Sequence, residues 1–229
     1  MYQPFGIRIQ EARQVRAQTE LPNVRSLVLW TVLGVLGFIV FSILMAPHDR
    51  GLEYHFVSER GLVTAMSAIL LSAAGAFCLA ALAIQIHMTR PYTRLWVLMT
   101  LGFVFLALDE TAQFHERVGN VLDDQYSSGV FRNWNDMVVI LYGIIALPVA
   151  AMLLPDLLRY PLMLEGFVVA FLFYVLHTLI DSTAEPETTV SIIFEESAKL
   201  CCGATFAMTT FVGFQTLLRN STSTPEPRG

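Results

Sequence analysis

The chain has 229 residues, 55% of them hydrophobic and only 14% charged, with a mean hydropathy of +0.57. A water-soluble domain carries about a quarter charged residues, so this composition excludes an ordinary soluble surface and points to lipid. The net charge of −5 comes with no basic stripe to neutralise phosphates, which excludes nucleic acid as a partner.

The first 25 residues are polar and hold Arg8, Arg13, Arg16 and Arg25 ahead of any apolar run. No cleavable signal peptide is therefore expected, and the first apolar run reads as a signal-anchor and span. Within that segment Phe5, Ile9 and Ala12 keep helical spacing, which predicts an interfacial helix over residues 5–20. About 20 apolar residues in a helix cross a hydrocarbon core of about 30 Å. Six stretches have that length: 26–46, 62–86, 95–118, 134–154, 161–181 and 190–218. Turn-forming residues separate them at Pro47 to Gly51, Arg90-Pro91, Asp123-Asp124 and Glu185-Pro186. The Ser/Thr/Pro-rich end is expected to be disordered. The expected organisation is a cytoplasmic segment at 1–25, a six-helix transmembrane domain at 26–218 and a tail at 219–229.

The spans are long, unbroken and rich in Leu, Ala, Val and Phe, without the short alternating segments of an outer-membrane barrel. A helix satisfies its own backbone hydrogen bonds in lipid. The fold class is all-α: a polytopic transmembrane helical bundle. Cys78, Cys201 and Cys202 lie in apolar stretches with no C-x-x-C spacing and read as packing residues. Trp96 and Trp134 read as aromatic-belt anchors, and Gly34, Gly37 and Gly75 as sites of close helix approach.

Arginine asymmetry sets the orientation. With a cytoplasmic amino terminus, inside segments hold Arg8, Arg13, Arg16, Arg25, Arg90, Arg94, Arg159, Arg219 and Arg228. Outside segments hold only Arg50, Arg60, Arg117 and Arg132. The expectation is a multi-pass protein of the cell membrane with both termini cytoplasmic.

That orientation gives the polar residues of the spans one address. The third span ends on Asp109, Glu110, Gln113, His115 and Glu116; the fourth begins with Asn133, Asn135 and Asp136. The fifth ends on His177, Asp181 and Ser182, and the sixth begins with Glu195, Glu196 and Lys199. Helical rise puts them in a layer roughly 5–10 Å below the outer interface. Charges at that depth face the bundle interior and pair or bind something. Spacing puts Asp109, Gln113 and Glu116 on one face, with His115 turned away from it. It also makes His177–Asp181 and Glu195–Lys199 pairs one turn apart.

Three readings stay open. The first is a divalent metal site for Zn, Fe or Mn, with Asp109, Glu110, His115, Glu116, His177 and Asp181 as ligands. Glu195, Glu196 and Lys199 are then the catalytic groups, moving protons or balancing charge. The second is proton or cation translocation, since buried acid and histidine chains mark relays. Against it, the cluster occupies one leaflet, and no broken-helix pair or inverted repeat is evident. The third is a satisfied ion-pair network in a structural subunit with membrane-protein partners.

The run Leu108-Asp109-Glu110 and the helix end from His177 to Asp181 resemble, in general terms, the alkaline-ceramidase-like membrane hydrolases. The resemblance implies a helical bundle holding zinc through histidines, assisted by Asp and Ser. The chain departs from that pattern in two ways: its first span has no acidic residue, and no second histidine stands four residues from His177. A site near the interface, with apolar space between Phe103, Phe105, Phe171 and Phe173, is expected to suit a lipid-like substrate drawn from the bilayer. His48 and His55 read as solvated loop residues, and Glu165 as snorkelling or paired with Arg159.

Overall fold

In a computed structural model, residues 4–19, 23–46, 61–88, 93–125, 134–183 and 188–222 are described. Among them every regular element is helical. In chain order these are α1 (Phe5–Gln18), α2 (Val24–Leu44), α3 (Leu62–His87), α4 (Thr93–Ala112), α5 (Phe114–Gln125), α6 (Trp134–Leu157), α7 (Met163–Thr183) and α8 (Thr189–Thr222). Six of them are long and apolar enough to cross a membrane, namely α2, α3, α4, and most of α6, α7 and α8. The chain is thus an all-helical, multi-pass membrane protein. The expected turns at Pro47 to Gly51, Arg90-Pro91 and Glu185-Pro186 lie outside the described residues, as do His48, His55, Arg132 and Asn133. The same holds for the side chains of Asp136 and Ser182.

The third expected span is too long at its far end. Gln113 takes a left-handed φ of 55°, so α4 stops at Ala112 and the chain restarts as a separate helix. Asp123 and Asp124 belong to that helix, α5, and are not a turn. At 34 residues α8 is about 51 Å long, well beyond a hydrocarbon core of about 30 Å. Its excess length lets Glu195, Glu196 and Lys199 stay near one end while the rest still crosses. The helix continues through Ser221 and Thr222.

Helix α8 packs against α3 and α7, and α3 against α4, so these four form the interior. The interior centres on Trp96, which is 0% exposed and donates from Nε1 to Tyr160 Oη at 3.1 Å. This corrects the aromatic-belt reading of Trp96: its indole finds a buried hydroxyl and has no need of the interface. Phe103, Phe167 and Phe206 join α4, α7 and α8 with ring centroids 5.1–6.3 Å apart. Close approach occurs at Gly75, where an added Cβ would sit 3.5 Å from Phe103 Cβ. It is tighter at Gly166, where an added Cβ would clash with Thr209 Oγ1. Gly34 and Gly37 were expected to act in the same way, yet an added Cβ there meets nothing within 4 Å. Helix α2 stands at the periphery with Leu29, Trp30, Leu36 and Val40 exposed toward the lipid side.

The end opposite the acidic cluster is held by charge. Asp156, 0% exposed near the end of α6, is bound by Arg8 of α1 and Arg94 of α4, both at 2.8 Å. Helix α1 adds Arg16 to Glu165 and Glu11 to Arg159 at 3.7 Å. Residues 8, 11, 12 and 16 form one helical stripe facing the bundle, with Ala12 fully buried among the ion pairs. The expected Arg159–Glu165 pair is therefore split between two partners on α1.

Candidate functional site

The break at Gln113 builds the first half of the site. A helix that restarts leaves its first N–H groups without intrahelical partners. Asp109, buried in the last turn of α4, supplies one: its Oδ1 accepts the His115 backbone N–H at 2.9 Å. Its Oδ2 pairs with His115 Nδ1 at 2.8 Å. Tyr142 of α6 donates to the same carboxylate at 3.5 Å. Gln113 Nε2 donates to Glu116 Oε2 at 2.9 Å across the first turn of α5. On an unbroken helix His115 would point away from Asp109. The left-handed residue re-aims it and corrects that expectation. Burial opposes charging of His115, but the hydrogen bond and charge of Asp109, with Glu116 and Glu110, outweigh it and raise the imidazole above its ordinary 6.5.

Helix α8 supplies the second half. Lys199 Nζ lies 2.9 Å from Glu196 Oε1 and 3.3 Å from Glu110 Oε1, so one ammonium joins α8 to α4. The spacing argument had pointed to Glu195 as the partner; the structure shows Glu196, three positions before Lys199, in that place. On α7, His177 stacks edge-on against Tyr174 at 5.6 Å, and its Nε2 lies 3.5 Å from Thr178 Oγ1. The Tyr174 hydroxyl donates to the Val139 carbonyl and ties α7 to α6.

These elements enclose a cavity of about 330 Å³. Asp109, Glu110, His115, Glu116, His177, Asp181, Glu195, Glu196 and Lys199 all line it. Three further groups from α6 and α7 complete the wall: Asn135, Tyr142 and Tyr174. Tyr142 was not among the polar residues expected at this end. Its signal was present in the spacing, since Asn135, Val139 and Tyr142 recur at helical intervals on one face. Tyr174 stands three positions before His177 on the same face. Thr64 and Ser67 of α3 also reach the cavity; no charged neighbour in the sequence marks them.

Among the described residues no three of His, Cys, Asp and Glu stand together as a metal-holding group. The pairing explains why. Asp109 is occupied by His115, and the ammonium of Lys199 sits where a cation between Glu110 and Glu196 would go. The donor types suit Zn, Fe or Mn, but their arrangement does not supply the expected ligand set.

A second space adjoins the first. An apolar groove of about 490 Å³ runs between α4, α6 and α7, and Leu106 and Phe206 line both the cavity and the groove. Phe103 and Phe171 lie along the groove as expected. Phe105 instead packs edge-on against Tyr142 at 5.4 Å, and Phe173 is not among the lining residues.

No curated protein and no solved structure matches this chain. A family model described as a domain of unknown function, DUF8692, matches residues 54–213, a stretch that contains every lining residue of the cavity and leaves out α1 and α2. That match spans more than half of the chain, which belongs to the DUF8692 family.

Proposed function

We propose that the protein takes up an amphipathic, lipid-like molecule, head group in the polar cavity and apolar chain in the groove, and hydrolyses it there: water adds across an ester or amide bond, its hydroxyl going to the acyl carbon and its proton to the leaving group. The observation that carries this reading is the adjacency of the two spaces, which share Leu106 and Phe206 in their walls. A chamber for a soluble metabolite needs no adjoining apolar slot between helices; a lipid needs both. A chain passing from bilayer to groove exchanges one hydrocarbon surrounding for another. The groove therefore orients the molecule, and the polar contacts supply the binding.

Roles follow from the pairing. Glu196 is held through Oε1 by Lys199 while its Oε2 has no hydrogen-bond partner among the described residues, which suits a proton carrier. His115, oriented by Asp109, is the second such group. Lys199 and Glu110 fix the charge around Glu196, and Glu195 is the further proton-carrying candidate from the same turn. Arginine asymmetry supports placing this end in the outer leaflet of the cell membrane with both termini cytoplasmic.

The test is lipid turnover in proteoliposomes made from a total lipid extract, followed by mass spectrometry. The wild type is expected to deplete one lipid class, and Glu196→Gln to lose that depletion while still inserting. Gly102→Leu, which extends into the groove where an added Cβ meets nothing, is expected to slow it. No lipid changed by the wild type, with unfolding of Glu196→Gln, would instead favour a structural ion-pair network.

A further inference from the structure

The charge of the cavity wall restricts what head group can enter. Among the described residues six carboxylates line it: Asp109, Glu110, Glu116, Asp181, Glu195 and Glu196. Among the described residues the basic groups of the wall are Lys199, His115 and His177, with no arginine. Lys199 is shared between Glu196 and Glu110, and His115 is bound to Asp109. Both already face carboxylates, so they leave little net positive charge for an incoming anion.

The unpaired atoms point the same way. Among the described residues, Glu196, 7% exposed, keeps its Oε2 buried without a hydrogen-bond partner, and Asn135 Oδ1 is in the same state. Both oxygens accept hydrogen bonds and cannot donate while the carboxylate is ionised. His177 Nδ1 is also buried without a partner among the described residues, and accepts when the ring proton is on Nε2. Buried acceptors left without donors are costly, and a ligand bearing N–H groups removes that cost. A phosphate or carboxylate brings only further acceptors and more negative charge.

We infer that the head group taken by this cavity is a primary amine, so that the ligand is a long-chain cationic amphiphile and not a phosphate- or carboxylate-headed lipid. The inference rests on the reading of cavity and groove as one amphiphile site. An ammonium offers three N–H donors and one positive charge. It matches the surplus of carboxylates and brings donors to a wall whose unpaired atoms, on α6, α7 and α8, are acceptors.

The test uses the full chain in nanodiscs of phosphatidylcholine and three probes of equal chain length: hexadecylamine, hexadecanol and hexadecyl phosphate. Binding is read by displacement of a fluorescent amphiphile. The expected order is amine, then alcohol, then phosphate, with the amine at least about tenfold tighter than the phosphate, or about 1.4 kcal/mol. Glu196→Gln is expected to remove most of that preference, and Gly102→Leu to weaken all three probes alike. Phosphate binding as tightly as amine overturns the inference, as does an amine preference unchanged in folded Glu196→Gln. The wild-type order decides alone should that variant not fold. Phosphate preferred, yet weakened by Gly102→Leu, leaves the amphiphile site standing and removes only the amine. Three probes that bind alike and ignore Gly102→Leu remove both.

Discussion

Asp109 accepts two hydrogen bonds from a single residue: the backbone N–H of His115 at 2.9 Å and its ring Nδ1 at 2.8 Å. One carboxylate thus both starts α5 and orients the imidazole beside the cavity. The histidine is tied to the fold through its protonation state. Its native pKa is raised above the ordinary 6.5 once Asp109, Glu116 and Glu110 outweigh burial. A raised native pKa contributes stability that is complete below the unfolded value and is lost as pH rises through the native one.

Thermal unfolding in detergent between about pH 5 and about pH 9 tests this linkage. The wild type is expected to lose stability relative to His115→Gln in a window that opens near 6.5 and extends upward. Parallel curves for the two proteins would contradict it.

The ammonium of Lys199 separates two carboxylates from different helices. Lys199→Met leaves Glu110 and Glu196 facing each other without a counter-charge, at an expected cost of about 3–5 kcal/mol. Adding Glu196→Gln removes that repulsion and is expected to restore most of the loss, a coupling that a double-mutant cycle measures. Equal instability of the single and double variants would mean that the lysine acts through packing alone.

Much of the architecture was legible because lipid imposes it. A span must be long, apolar and helical, so the six spans and their shared polar end could be read from spacing. The break at Gln113 could not, because no glycine marks it and the residue that caps the restart lies four positions earlier on the preceding helix. The pairing within the site was illegible for the same reason: one φ angle moves His115 from one face to another. Trp96 misled for a different reason, since a tryptophan near a span end satisfies its N–H equally well at an interface or on a buried tyrosine.

At the opposite end two ion pairs differ in burial. Asp156 is fully enclosed with two arginines, whereas the side chains of Arg16 and Glu165 are 30% and 50% exposed. Asp156→Asn is expected to lower stability by about 3 kcal/mol, since it leaves Arg8 and Arg94 without their shared partner. Glu165→Gln is expected to cost under about 1 kcal/mol. Chemical denaturation of the two variants under identical conditions gives the comparison, and equal losses would refute the ranking by burial.

Glycines give a contrast free of charge. Gly166→Ala drives a methyl against Thr209, which is itself buried at 2% exposure, and is expected to cost about 1–3 kcal/mol by separating α7 from α8. Gly34→Ala meets open space and is expected to be neutral or to stabilise α2 by up to about 1 kcal/mol. Unfolding temperatures of the pair test whether close packing or helix propensity governs each position.

The attachment of α1 also sets an order of events during synthesis. Arg8 is made 148 residues before Asp156, and Arg16 149 residues before Glu165. At about 5–20 residues per second, α1 waits roughly 7 to 30 s for the helix ends that will hold it. Throughout that interval its arginines lack their final carboxylates, and the lipid head groups at the membrane surface are the nearest substitutes. Docking of α1 is then the step that closes the bundle at that end, completed only after α6 and the start of α7 have emerged.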